Sequence, residues 1–259
     1  MAEAGAPRPR VAVVTGAGGQ IGRCLMTELE AAGYAVIGLD LPAACPVGDP
    51  RYLRCDITDV AQVARTFEAV DVRADGLHLL VHSAGLSAIG SFGDHDLAVH
   101  RQVMDVTHFG AVSCTLAALP LLRRARGRVV LIGSVAGFAP VLGRPAYVAA
   151  KHAVTGIFTA LRPELAADGI GVTIVHPTFV TGGMTEASRR RRGVARATTG
   201  EEVTPQDVAR AVVDGAAAGR EVVLVGRTAR LAWLVNRISP RLYVNLMVRR
   251  LRAATGGTV

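Results

Sequence analysis

The sequence predicts an α/β fold: a Rossmann-like, doubly wound parallel sheet in a single domain, followed by a C-terminal helical extension. Three observations predict it. Short β-branched apolar runs alternate with helical stretches of ten or more residues from about residue 10 to 226, the pattern of strands joined by crossover helices. Gly16, Gly19 and Gly22 fall between the first strand and the first helix, where such sheets bind ligands. Half of the 259 residues are apolar yet only 4% are aromatic, as where Ala, Val, Leu and Gly pack helices closely onto both faces of a parallel sheet.

The elements follow in order. "RVAVVTGAGGQIG" is a strand breaking into glycines, and "RCLMTELEAAG" carries apolar residues at helical spacing to a glycine stop. "YAVIGLD" is a second strand ending in an acid; "RYLRCDIT", the helical "DVAQVARTFEAV" and the strand "LHLLVHSAG" come next. A helix over about 98 to 123, the strand "GRVVLIGS", a long helix from about Ala146 to Ala167 and the strand "GVTIVHP" continue the alternation. An irregular stretch, the helix "PQDVARAVVDGAAAG", the strand "EVVLVG" and a basic tail complete it. Within this one domain of residues 1–259, we expect 1–9 to be a flexible N-terminus, 181–203 a substrate lid and 227–259 the C-terminal extension.

Residues 1–10, "MAEAGAPRPR", lack the apolar core of a secretory signal, and no run approaches the roughly 18 apolar residues of a membrane span, so a cytoplasmic protein is expected. Cys24, Cys45, Cys55 and Cys114 have no metal-ligand spacing and read as reduced thiols, with no metal implied. The net charge of +8 alone does not select a nucleic-acid partner, which would also require aromatic stacking residues or a recognised reading module.

Every motif falls at the carboxyl end of an expected strand. Missing side chains at Gly16, Gly19 and Gly22 let backbone amides and a helix N-terminus approach a pyrophosphate, making Gln20 and Ile21 of the same turn candidate contacts too. Asp40 ends the second strand, where a carboxylate can accept from both hydroxyls of an adenosine ribose. No arginine flanks it in sequence to hold a 2'-phosphate, so NAD(H) is the expected cofactor. Asp56 and Ile57 follow the third strand, and Asp56 reads equally as a helix cap or as a partner of the adenine amine. In "HSAG", the small Ser83, Ala84 and Gly85 suit backbone pressed against a cofactor.

The composition holds 29 lysines plus arginines, and only one is a lysine, Lys151. It stands four residues after Tyr147, so both project from one face of the long helix. A fixed ammonium favours the phenolate and makes the pair an acid-base device. A compact ammonium can also hold two vicinal ribose hydroxyls while facing the phenol, which a planar guanidinium cannot. Ser134 ends the fifth strand, where its hydroxyl can polarise a substrate oxygen or serve as a cap.

Together these residues resemble the short-chain dehydrogenase/reductase family over about residues 10–226. The resemblance implies an NAD(P)-dependent enzyme of alcohols and ketones, with Tyr147 as general acid/base, Lys151 gripping the nicotinamide ribose and Ser134 positioning the substrate oxygen. Four departures stand out. The glycine turn has the spacing of the family's longer sugar-nucleotide members. His82 and Ser83 replace two asparagines. Thr107 replaces the active-site Asn, implying a relay altered there, and Pro177-Thr178 replaces Pro-Gly. The carboxamide contacts then fall to Pro177, Val180 and Thr181. The leading expectation is NAD(H)-dependent interconversion of a secondary alcohol and a ketone on a lipophilic small molecule, by a homodimer or homotetramer. A sugar-nucleotide epimerase or dehydratase, or a non-catalytic NAD-sensing protein, is the alternative. From Leu242 to Leu251 the tail has a helix-like apolar face ending in Arg249, Arg250 and Arg252. We expect it to pack on the substrate pocket or a neighbouring subunit rather than on a membrane, with Pro240 dividing it.

Overall fold

A computed structural model describes residues 9–182 and 201–255. Residues 1–8 of the expected flexible N-terminus, most of the expected lid and the last four residues of the extension therefore lie outside the described residues.

Seven strands form one parallel sheet: β1 (Arg10–Thr15), β2 (Tyr34–Asp40), β3 (Tyr52–Arg54), β4 (Leu79–His82), β5 (Arg128–Ile132), β6 (Gly171–Pro177) and β9 (Val222–Val225). Their spatial order is β3-β2-β1-β4-β5-β6-β9, every pair parallel. The order reverses between β1 and β4, which opens the crevice that doubly wound sheets use for ligands. A two-stranded parallel ladder, β7 (Phe179–Val180) with β8 (Glu202–Val203), lies outside this sheet.

Alternation along each strand builds two cores. Val11 and Val13 point to the face covered by α2 (Val60–Arg73), α4 (Gly110–Ala125) and α5 (Pro145–Ala166), joining Phe67, Cys114, Leu121 and Phe158. Ala12 and Val14 point to the face under α1 (Gln20–Ala31) and α6 (Pro205–Ala217), joining Leu25, Leu29, Val208 and Val212. Because both faces are covered, the strands read as unbroken apolar runs. Local signals set the helix starts: Asp59 accepts from the N–H groups of Ala61 and Gln62, and Thr204 and Asp207 form a capping box. Of the four cysteines, all free, Cys55 and Cys114 are buried and Cys24 and Cys45 partly exposed.

Two departures from expectation matter. The helix expected over 98–123 runs from Leu97 to Ala125 as α3 (Leu97–Met104), a π-turn at Asp105–Phe109, and α4. Gly110 donates its N–H to Asp105 O across that turn, and a Cβ on Gly110 would lie 2.6 Å from Ile57 Cδ1. The segment is long and apolar enough to cross a membrane, which the count of consecutive apolar residues missed. Here α4 lies on the sheet, with Ala111, Cys114, Ala118, Leu121 and Leu122 buried, while α3 packs on α5 through Val103.

Pro240 divides the tail as expected, into α7 (Arg227–Ile238) and α8 (Pro240–Thr255). Of the two packings expected for the tail, the one over a pocket is not made by Leu231, Leu234, Ile238, Leu242 and Leu246, which are exposed on this chain. In α7 the small Ala229 and Ala232 occupy the buried face instead.

Candidate active site

The dinucleotide end of the crevice is made of backbone in close approach. Gly16 has φ +68°, and a Cβ on it would lie 2.7 Å from Cα of Ala84, so the turn after β1 and the segment after β4 touch. A Cβ on Gly22 would lie 2.1 Å from Gly16 O, and Thr15 Oγ1 accepts from Ala84 N–H at 3.3 Å. Gly19 begins α1 with no side-chain cap, leaving the first amides of the helix directed at the crevice. Ile21 starts the packing of α1 on the sheet, and the Gln20 side chain reaches Gly182, where a Cβ would lie 3.1 Å from its Nε2. That contact joins the turn to the segment bearing Thr181, whose N–H bonds Val203 O at 2.9 Å. Val180 pairs with Val203, and Pro177 ends β6.

Asp40 accepts from the N–H groups of Gly18 and Leu41, each at 2.8 Å. It thereby holds the glycine turn, and each carboxylate oxygen keeps a lone pair for a further donor. Although no arginine flanks Asp40 in sequence, sheet pairing sets Arg54 beside it in register, and Arg23 donates to Gly18 O from α1. Asp56 accepts from N–H and Oγ1 of Thr58, so it shapes the turn into α2 while Asp59 caps that helix. Ile57 is buried against Gly110.

The chemical end is made of buried polar side chains. Tyr147 and Lys151 leave the first turns of α5, 7% and 5% exposed. Lys151 Nζ donates to Ile132 O at 2.7 Å and lies 5.8 Å from the centroid of the Tyr147 ring. Burial pulls its pKa down to about 8, so ionisation is finely balanced there. A Cβ on Gly85 would lie 3.8 Å from Lys151 Nζ and 3.6 Å from Thr107 Oγ1, so these three positions converge. The π-turn carries Thr107 into this group, where its Oγ1 accepts from Leu86 N–H at 3.1 Å. Ser83 lies partly exposed in the same segment.

Ser134 Oγ accepts from Ala136 N–H at 3.1 Å, so the serine caps the turn after β5. Its carbonyl accepts from His176 Nδ1 at 2.8 Å. His176 is buried, which lowers its pKa to about 4 and keeps the ring neutral. Its ring packs edge-on against Phe138, which meets Trp233 of α7 at 4.9 Å between centroids. Asn236, one turn on, donates to Phe138 O at 2.8 Å. The extension therefore fastens the serine turn from behind.

Sequence reasoning missed His176, Phe138, Asn236 and also Arg144, which donates to Ser87 Oγ across the start of α5. His176 offers one faint signal, a polar residue in an apolar strand before Pro177. His82, noted for its departure, belongs to the core facing α4. Thr115 Oγ1 donates to Ala111 O and so accepts from His82 Nε2 at 2.8 Å. Burial lowers the His82 pKa to about 3.

Residues 10–193 match the family model described as short chain dehydrogenase. The chain is 32% identical over 212 residues to dehydrogenase/reductase SDR family member 7B of Xenopus laevis, covering 80% of this chain and 66% of that protein. It is 30% identical over 265 residues to the putative oxidoreductase SadH of Mycobacterium tuberculosis, covering 92% and 94%. A short chain dehydrogenase of Burkholderia cenocepacia solved in complex with NADP superposes with a TM-score of 0.80 at 24% identity, covering 92% of this chain and 97% of the other.

Proposed function

Because the chain belongs to the short-chain dehydrogenase/reductase family, whose members are oxidoreductases using nicotinamide cofactors, we propose that it interconverts a secondary alcohol and a ketone, with Tyr147 as the proton-transfer group. The observation that carries this reading is the buried Tyr147 and Lys151 pair at the start of α5, beside Ser134 and the glycine cradle. The cradle fits a dinucleotide: contact between Gly16 and Ala84 leaves backbone amides and the α1 N-terminus for a pyrophosphate. When bound, the nicotinamide supplies or accepts hydride.

The chain's own residues do the rest. The Tyr147 hydroxyl gives its proton to the forming alkoxide in reduction and takes it back in oxidation. Lys151, held by Ile132 O, favours the phenolate and presents its remaining donors to ribose hydroxyls. Ser134, fixed through its carbonyl by His176, directs its hydroxyl at the substrate oxygen. Thr107 holds the Leu86 amide beside them, where the family resemblance has an Asn.

We assign NAD(H) as the preferred cofactor on the Asp40 carboxylate, which would repel a 2'-phosphate. Arg54 and Arg23 near that carboxylate support NADP(H) as a second reading. The apolar tail, which reaches the turn carrying Ser134 through Trp233 and Asn236, supports a lipophilic substrate.

The test is an absorbance screen of lipophilic ketones with NADH and NADPH, and of the alcohols with the oxidised cofactors. NAD(H) should be favoured at least about tenfold in kcat/KM, and Tyr147→Phe should lower turnover by about 1,000-fold or more with NADH binding retained. Equal use of the two cofactors rejects the assignment from Asp40. Turnover by Tyr147→Phe at the parental rate rejects the mechanism.

A further inference from the structure

The α7 helix has two apolar faces. Ala229, Ala232 and Trp233 lie on the side toward the protein, where Trp233 and Asn236 meet Phe138. Leu231, Leu234 and Ile238 fall within a sector of about 60° on the other side at 100° per residue. They are 51%, 55% and 74% exposed. In α8, Leu242 and Leu246, one turn apart, are 50% and 39% exposed, while Tyr243 and Met247, the residues that follow each of them, are half-buried. Packing explains the inward faces; nothing in the described fold uses the outward ones.

Charge identifies what covers them. From residue 222 to 259 the sequence has seven arginines, at 227, 230, 237, 241, 249, 250 and 252, and no aspartate or glutamate. Against a net charge of +8 for the whole chain, this surface carries almost all the excess. A second copy docking through the same face would set arginine against arginine, because a two-fold contact places a patch on itself. An anionic lipid surface meets both features at once: leucines enter the acyl boundary while arginines reach the headgroups.

We propose that α7 and α8 form a peripheral docking surface for anionic membranes, lying in the interface plane rather than crossing it. The docking stands on the surface itself and holds whatever the enzyme's substrate. Because the inner side of α7 contacts Phe138, docking brings the serine turn to within about one helix diameter, roughly 10 Å, of the lipid. A lipophilic substrate would then reach the site from the bilayer without crossing bulk water.

The full chain is sedimented with vesicles of phosphatidylcholine containing about 30% phosphatidylserine, and with phosphatidylcholine alone. At low salt the expected result is pelleting with the anionic vesicles, weakened about tenfold or more by pure phosphatidylcholine or by about 0.5 M salt. The double variant L234D/I238D should lose binding at least about tenfold while keeping the parental NADH affinity and melting temperature. If that variant folds poorly, R249Q/R250Q decides through the same assay, with an expected loss of several-fold. A protein left in the supernatant with anionic vesicles overturns the proposal, as does undiminished binding by folded variants. Loss of self-association in L234D/I238D without any vesicle binding overturns it in favour of a second copy.

Discussion

At the dinucleotide end of the crevice, the walls are main chain: Gly16 lies against Ala84, Gly22 against Gly16, and Asp40 is spent on two amides of its own surroundings. At the chemical end they are buried polar side chains, with Lys151 on Ile132 O, His176 on Ser134 O and Thr107 under the Leu86 amide. The first end tolerates no added atom, because what would move is backbone. The second tolerates no loss of a partner, and its His176 ring no loss of neutrality, because each group has been taken out of water. Substitutions that add volume should therefore damage cofactor binding, and conditions that add charge should damage the support of the chemistry.

The largest expected effect breaks the comparison on the volume side. Gly22→Ala sets a methyl 2.1 Å from Gly16 O and 2.6 Å from Cα of Ala17, both main-chain atoms within the turn. A loss of about 3 kcal/mol in stability is expected from such overpacking, and NADH affinity should fall at least about 100-fold because the amides are displaced. Denaturant melts and fluorescence titration measure both. An alanine variant that binds NADH like the parent removes the claim that the turn is packed to its limit.

The second effect tests the charge side through pH. His82 and His176 have pKa values lowered by burial from the ordinary 6.5 to about 3 and about 4. In the window between those values and 6.5 the unfolded chain binds protons that the native state refuses. Their stabilisation is thus fully present above about pH 6.5 and is lost as pH falls toward the native pKa values. Between pH 7 and 5 the pair should remove about 4 kcal/mol, at up to about 1.36 kcal/mol per pH unit for each histidine. In urea melts, His176→Gln should show about half the parental slope. Flat stability across that range would mean that neither ring stays neutral in the fold.

The same division decides what was legible in the sequence. The glycine turn, the acid at Asp40 and the four-residue step from Tyr147 to Lys151 are local relations, fixed by strand and helix periodicity, and all fall at strand ends or on α5 where expected. The sheet and its covering helices were legible for the same reason. Arg54 beside Asp40 was not, because register between β2 and β3 is invisible until the strands pair. Nor was the π-turn at Thr107, beside which Gly110 meets Ile57 from a distant part of the sequence. His176 and Phe138 acquire meaning only when α7 arrives from the far end of the chain. Which side of the tail's helices faces the protein was not legible either, because apolarity at helical spacing does not say it: Ala229 and Ala232 face inward and Leu231 and Leu234 outward.

The smallest expected effect asks whether the two ends are independent. Asn236→Ala removes one hydrogen bond to Phe138 O and leaves Phe138, His176 and Trp233 in contact. A partly buried bond of this kind contributes about 1 kcal/mol, and its loss should loosen the turn that carries Ser134 without touching Gly16, Gly22 or Asp40. The expected outcome is a several-fold fall in kcat/KM for the ketone, about fivefold if most of that energy reaches the transition state, with NADH affinity unchanged. Asn236→Gln should recover part of the loss if the amide, rather than the backbone of α7, is what matters. Parallel losses in NADH affinity and ketone turnover would show that the crevice responds as one body, and the contrast between a backbone end and a side-chain end would then describe its construction but not its energetics.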